Sequence, residues 1–454
     1  MTSLSRIRLV ADYLAATRNE IAVDEKFLRL AHVKPAEVGY MPRVPLWLNK
    51  GLKAPMLTRI VWRFTWVIWL AGGAFAYFAL ELIKLERLRG RISQSGQDKA
   101  TLTDGAVLGL SSRVCDVMNA THFPWLPKNW LTCPWVPLHN LPKDAIKLPL
   151  ISLLTKSELR EAFICALRAA YALAYNPTSA RWALQGYTAL RWFVVRKAVD
   201  KLTGVLVTTQ HYDRWAVLVD RSTRAIRIQA KFSRKFVMVQ HGAMGGLDSV
   251  GDQKDYSDQP PTRIAYVDEL HTYNLNEEII FRRDVFTKSR QKSALAVFYF
   301  SPTVDLTGEL VNDQLQLLFV GHPLCEEFQS KVFQALKKVL DFDAFYKPHP
   351  KAPMSASMRD VGWTVIEDSL MFPRVNLLVS YPSTLVIEYE GVHVEAMVHP
   401  LDISPNDAIQ FVQSTLEKIK LMRKLNPLET ETNTSDQAQC VENTDANDNT
   451  QPER

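Results

Sequence analysis

From residue 204 onward, short apolar runs closed by Gly, His, Pro or Ser alternate with longer segments whose apolar residues recur at helical spacing. Gly204 to Thr209 reads as a strand, Asp213 to Ala230 as a helix, and Lys235 to Gln240 as a strand ending in His241-Gly242. Arg263 to Val267 is expected as a further strand, Glu277 to Ser289 as a helix and Ala294 to Phe300 as a strand. A second series follows: a strand from Gln314 to Val320 closed by Gly321-His322-Pro323, a helix from Glu326 to Leu340, and strands at Phe342 to Phe345, Trp363 to Ile366 and Val375 to Val379. Helices Leu385 to Glu390 and Asp407 to Leu421 complete it. Such alternation implies parallel sheets joined by crossover helices, so the fold class is α/β with two Rossmann-like domains facing a cleft.

Upstream the pattern changes. Helical periodicity covers Ser157 to Ala174 and Ala180 to Lys201, whereas residues 101 to 142 are rich in Pro and Trp and read as irregular, tightly packed loops. Residues 64 to 80 form an uncharged, mostly apolar run with Lys50, Lys53, Arg59 and Arg63 before it and Lys84, Arg87, Arg89 and Arg91 after it. A hydrocarbon core takes about 20 helical residues, so the run stands at the short limit for spanning; a spanning helix, an interfacial helix, a buried hairpin and a plain core helix all fit. Contact with the inner membrane through residues 64–80 is the expectation. The resulting plan is a helical N-terminal segment (1–100), a first Rossmann-like domain (101–300), a second Rossmann-like domain (301–428) and a disordered acidic tail (429–454).

Composition narrows the class. The 454 residues are 47% hydrophobic and 22% charged, an ordinary globular balance. A net charge of +6 hides an acidic tail: residues 429–454 hold seven acids and one base, leaving +12 on the rest. A basic body suits anionic partners, but no basic run with interleaved aromatics points to nucleic acid. Five scattered cysteines without C-x-x-C spacing indicate neither a disulfide framework nor a zinc site. The first twenty residues carry Arg6, Arg8, Asp12, Arg18 and Glu20 and no apolar signal core, which implies a cytoplasmic setting.

The chemistry concentrates at strand ends, where open α/β sheets hold ligands. Tyr346-Lys347-Pro348-His349-Pro350 offers a point charge and an imidazole between prolines, and Ser380-Tyr381-Pro382-Ser383-Thr384-Leu385 offers two hydroxyls at a helix start. Lys347 and His349 share parity, so an extended chain turns both to one face. His241, followed by Gly242, faces the same cleft as a base or as a donor to a carboxylate or phosphate, with Asp248 a second base. Gly321-His322-Pro323 makes a tight exit in which His322 is either a nucleotide neighbour or structural. Asp341-Phe342-Asp343 resembles a metal-binding Asp-x-Asp but lies at the other end of its strand, so no metal is expected.

The succession Phe319-Val320-Gly321-His322-Pro323-Leu324-Cys325-Glu326, Tyr346-Lys347-Pro348-His349-Pro350-Lys351 and Ser380-Tyr381-Pro382-Ser383-Thr384 resembles bacterial sialyltransferases and polysialyltransferases, together with capsule and lipopolysaccharide glycosyltransferases that use CMP-sugars. Gln240-His241-Gly242 adds a resemblance to capsule-type glycosyltransferases and glycerophosphotransferases. The resemblance covers roughly residues 200 to 425. It implies a metal-independent GT-B enzyme without a cofactor, in which His349, Ser383 and Thr384 bind the CMP phosphate and Glu388 lies near the nucleotide. The implied reaction moves a sialic acid or Kdo-like sugar to a surface polysaccharide or glycolipid at the inner face of a bacterial plasma membrane. A CDP-alcohol glycerophosphotransferase of teichoic-acid type and a catalytically silent polysaccharide assembly or export protein are the alternatives.

Overall fold

Among the described residues every strand pairing is parallel, and the strands fall into two sheets. This computed structural model describes residues 3–30, 33–34, 40, 55–94 and 105–425, apart from residues 122, 124, 177–178, 229–233, 245–259, 303, 309–313, 350–353 and 369–370. The acidic tail, Asp248 and Pro350 lie outside the described residues.

The first sheet has seven strands: β1 (Ala106–Gly109), β2 (Asn129–Thr132), β3 (Ile146–Pro149), β4 (Gly204–Thr208), β5 (Arg234–Val239), β6 (Glu269–Thr272) and β7 (Ala296–Tyr299), in spatial order β3-β2-β1-β4-β5-β6-β7. The second has five: β8 (Gln316–Val320), β9 (Asp343–Lys347), β10 (Thr364–Val365), β11 (Leu377–Ser380) and β12 (Glu395–Val398), ordered β10-β9-β8-β11-β12. The central strands β1, β8 and β11 are buried along their whole length, as expected of sheets covered on both faces. Each sheet reverses its strand order once, between β1 and β4 in the first and between β8 and β11 in the second. The two-Rossmann-like organisation read from the sequence is the one observed.

The helices are α1 (Ser3–Leu30), α2 (Pro55–Ile68), α3 (Ala74–Gln94), α4 (Val114–Thr121), α5 (Lys156–Tyr175), α6 (Ala189–Val199), α7 (Arg214–Ile228), α8 (Leu275–Ile280), α9 (Lys288–Lys292), α10 (Glu326–Lys337), α11 (Thr384–Glu390) and α12 (Ala408–Leu425). Thr155 and Glu158 start α5 with a reciprocal capping box. α6 is apolar nearly all round and runs through the core, its buried Arg196 and Lys197 neutralised by Asp12, Asp200 and Glu161. α1 is built into the first domain: the Asn19 amide donates to the carbonyls of Tyr212 and Thr262 (2.8 and 2.7 Å) and accepts the Thr262 N–H. The far end of α1 reaches the second domain, where Leu30 packs with Cys325 and Leu401.

Three expectations need correction. The Pro- and Trp-rich segment contains β1 and β2, with β3 just beyond it; these strands are only four residues long. Arg263 to Val267 is not a strand, and Ile264 makes only an isolated bridge to Phe286. The buried Asp220 carboxylate takes the N–H groups of Ala265 and Tyr266 (both 2.7 Å) out of any ladder, and the strand forms later, at Glu269–Thr272. The helix expected over Glu277 to Ser289 breaks after a π turn at Phe281–Val285, because Thr287 caps a new helix through the N–H of Arg290.

Candidate functional site

Parallel strands in register end level with one another, and this fixes the geometry of the second domain's rim. Val320 pairs with Lys347 on one side and Ser380 on the other, so the loops after β8, β9 and β11 leave the sheet side by side. Strand spacing of about 4.8 Å puts the β9 and β11 exits about 10 Å apart across β8. The first domain opposes them with the loops after β1, β2, β4 and β5. Between the two rims lies a cleft of about 780 Å³, lined by Ser111 to Arg113, Gln210 to Trp215, His241 to Met244, His322, Pro323 and His349, with Asn19, Glu20 and Phe27 of α1 closing one side.

Among the described residues four imidazoles line the cleft. The His241 backbone N–H donates to His211 Nε2 (3.1 Å), and His241 Nδ1 lies 3.1 Å from the same nitrogen. The other ring N–H of His211 is held by the Val239 carbonyl, and burial, reinforced by His241, pushes the His211 pKa well below the usual histidine range. His211 is therefore a neutral acceptor, and His241 carries a proton on Nδ1. The loop bearing His241 is pinned by buried Gln240, whose amide donates to Glu277 (2.5 Å) and the Gly242 carbonyl (2.9 Å) and accepts from Thr272 and the Tyr273 N–H. Glu277 in turn accepts the Met244 N–H at 2.8 Å.

On the opposite rim, His322 and His349 meet edge to face with ring centroids 5.3 Å apart. Burial, then the neighbouring His349, lowers the His322 pKa to about 3, so His322 is neutral. Its Nδ1 accepts the Leu324 N–H (3.2 Å), which leaves the proton on Nε2, and its ring stacks on Phe27 of α1. His349, His241, Gly242 and His322 are thus brought to one cleft, as their strand-end positions imply.

Other expected contacts fall elsewhere. Lys347 does not line the cleft: its ammonium donates to the carbonyls of Asp368 and Met371 (3.0 and 2.7 Å) and sits over the Phe372 ring. β9 stops at Lys347, so the parity argument that paired it with His349 ends at that residue. Gly321 is a packing glycine, not a phosphate ligand, since its N–H donates to the Lys347 carbonyl and a Cβ there would lie 1.9 Å from Tyr346 Oη. The two hydroxyls are split. Ser383 Oγ lies 3.0 Å from Ser380 Oγ, while Thr384 Oγ1 crosses the domain boundary and accepts the Ala243 N–H at 3.0 Å. Gly242 adopts no left-handed φ, and a side chain there would meet Thr384 Oγ1 at an ordinary 3.5 Å. Glu388 stands one turn beyond Thr384; burial raises its pKa to about 7, partly offset by Arg113 from the loop after β1.

The sequence reading missed His211, Arg113, Arg214 and the α1 residues. His211 had a signal, because Gln210-His211 and Gln240-His241 occupy the same place after the neighbouring strands β4 and β5. Arg214 is fully buried at the cleft wall, ion-paired to Glu20 (3.4 Å) and bonded to Gln185. Asp213 caps α7 through the N–H groups of Trp215 and Ala216. Asp341 is exposed and pairs with Lys337, and among the described residues no three His, Cys, Asp or Glu side chains converge as a metal site.

No family model matches the chain, and no curated protein matches it. Among solved structures it is similar to the UDP co-structure of MnaA from S. aureus (10% identity, 71% of this chain and 90% of that one, TM-score 0.36). It is also similar to MurG from Acinetobacter baumannii (13% identity, 71% and 89% covered, TM-score 0.31) and to an alpha/beta-galactoside alpha-2,3-sialyltransferase from Photobacterium phosphoreum (10% identity, 69% and 96% covered, TM-score 0.29).

Proposed function

We propose that the chain is a glycosyltransferase that moves a sugar from a nucleotide-activated donor to a glycan or lipid-linked glycan acceptor, with a CMP-linked sialic acid or Kdo-like sugar as the donor. The observation that carries this reading is the meeting of two strand-order reversals at one cleft, with His241 on one rim and His349 on the other. Displacement at an anomeric carbon needs a base for the acceptor hydroxyl and positive or hydrogen-donating groups for the departing phosphate. His241, oriented through Nδ1 by neutral His211, stands as the base of this reading. His349 and the Nε2–H of His322 stand on the second domain's rim, where a nucleotide phosphate would be released. On this reading the transfer takes place at the cytoplasmic face of a membrane.

A thermal-shift panel of CMP, CDP, UDP and GDP tests the reading. At 100 times Kd a ligand stabilises by about 2.7 kcal/mol, a shift of several degrees for domains of this size. CMP is expected to give the largest shift and His349→Ala to lower it. A larger shift with UDP would overturn the CMP assignment, and no shift with any nucleotide at millimolar concentration would sink the transferase reading itself.

A further inference from the structure

Two helices, α2 and α3, joined through a π turn at Trp69–Gly73 and a kink at Gly72 (φ 119°), each have an inner and an outer apolar face with different fates. The inner face is packed along its length. Trp62 and Trp66 lie against the body, with Trp66 Nε1 donating to the Ala180 carbonyl (2.9 Å), and Trp69, Phe78 and Leu85 enter the core of the first domain. The outer face is bare: Met56 (75% exposed), Phe64 (66%) and Leu80 (61%) stand out with Ile60, Val67 and Phe75. Met56, Ile60, Phe64 and Val67 recur every three or four residues along about 16 Å of α2, and Phe75 and Leu80 add exposed apolar surface on α3 beyond the kink. Isolated exposed apolar residues are ordinary on protein surfaces; a row of large ones along one helix face is not. A second cavity, about 500 Å³ and lined by Trp69, Phe75, Tyr171 and Tyr175, opens beside Gly72 and widens the apolar surface onto α5.

The charges on these helices are sorted by face. Their two acids turn inward, Glu81 onto Arg191 and Glu86 onto Arg160. The exposed charges are all cations: Arg59 and Arg63 towards one end, Lys84, Arg87 and Arg91 towards the other. By length and apolar content the segment Arg59–Ile92 is able to cross a membrane, yet only 11% of its most apolar window is buried inside the protein.

We infer that this face docks in the plane of an anionic lipid bilayer, with the apolar stripe sunk to the boundary of headgroups and acyl chains and the five cations on lipid phosphates. A helix pair whose other face is fixed to a folded domain from Trp62 to Leu85 lies on the bilayer rather than across it. A second copy of the chain is the poorer occupant, because a two-fold contact through this face sets cations against cations. Docking does not depend on the transfer chemistry.

The test is sedimentation of the full-length chain with vesicles of phosphatidylcholine alone or mixed with phosphatidylglycerol. The expected result is binding to the mixed vesicles, weak binding to neutral ones, and release by 0.5 M salt or alkaline carbonate. Phe64→Glu is expected to weaken binding at least tenfold, and each of Arg63→Gln and Lys84→Gln about fivefold, with the thermal transition unchanged. Equal binding to neutral vesicles, retention of the chain in carbonate-washed membranes, or no binding by a folded chain would each overturn the inference. So would a dimer in solution that Phe64→Glu converts to monomer.

Discussion

At the residue scale the cleft is organised by a hydrogen bond between two histidines. His211 is buried and held neutral, so it fixes the His241 tautomer without competing for the acceptor's proton. Replacing His211 by Asn removes this orienter and leaves the cleft-facing base in place. The expected outcome is a fall in kcat of between ten and a thousandfold with KM changed less than threefold, since the acceptor and donor contacts remain. His241→Asn is expected to cost at least as much, and the double variant no more than His241→Asn alone, because residues that act as a unit are not additive. Additive losses measured with the saturating donor would show that the two imidazoles work separately.

At the element scale the strand exits of the second domain are built by packing, and Gly321 is the clearest case. Tyr346 is buried and stacks on Trp363 with centroids 4.5 Å apart, so its ring cannot retreat from a new Cβ. Gly321→Ala is expected to lower stability by about 1–3 kcal/mol, read as a reduced denaturation midpoint. An unchanged midpoint would mean that the β8 exit yields more than the packed rings suggest. The same element shows what a sequence displays and what it conceals. The strands β4, β5, β8, β9 and β11 were legible because each is an apolar run closed by a residue that stops a ladder. β1 to β3 were hidden because four-residue strands among prolines and tryptophans have neither period nor length. Motif residues were legible as positions but not as partners: Lys347 and Thr384 sit where expected, yet one is taken by backbone carbonyls and the other by Ala243 across the boundary. Partners from other elements, such as Arg113 for Glu388 and Glu20 for Arg214, depend on tertiary contacts that spacing does not encode.

At the scale of the whole molecule, both domains bury neutral imidazoles, and this sets how the protein meets acid. His211 lies in the first domain, while His322 and His399 lie in the second with pKa values lowered to about 3 and about 4, burial being the main cause. His399 is locked as neutral by donating to the Pro400 carbonyl and accepting from Gln329. A histidine with a depressed folded pKa contributes stability that is complete above the unfolded value near 6.5 and is lost as pH falls towards the folded value. For His399 alone the loss at pH 4 is about 3 kcal/mol. Glu388 has the opposite sign: its pKa is raised to about 7, so it takes up a proton in the fold first and favours the folded state as pH falls from 7 towards 4.5. Asp220, raised to about 6 by burial, acts in the same sense as Glu388, and His271, lowered mainly by burial, acts with the other imidazoles. Four imidazoles outweigh two carboxyls, and the net expectation is a denaturant midpoint that decreases from pH 7 to pH 4. His399→Gln, which keeps a hydrogen-bonding side chain without a titrating group, should flatten that decline, and Glu388→Gln should steepen it. A midpoint that stays level or rises between pH 7 and pH 4 would show that the buried imidazoles gain compensating partners on protonation.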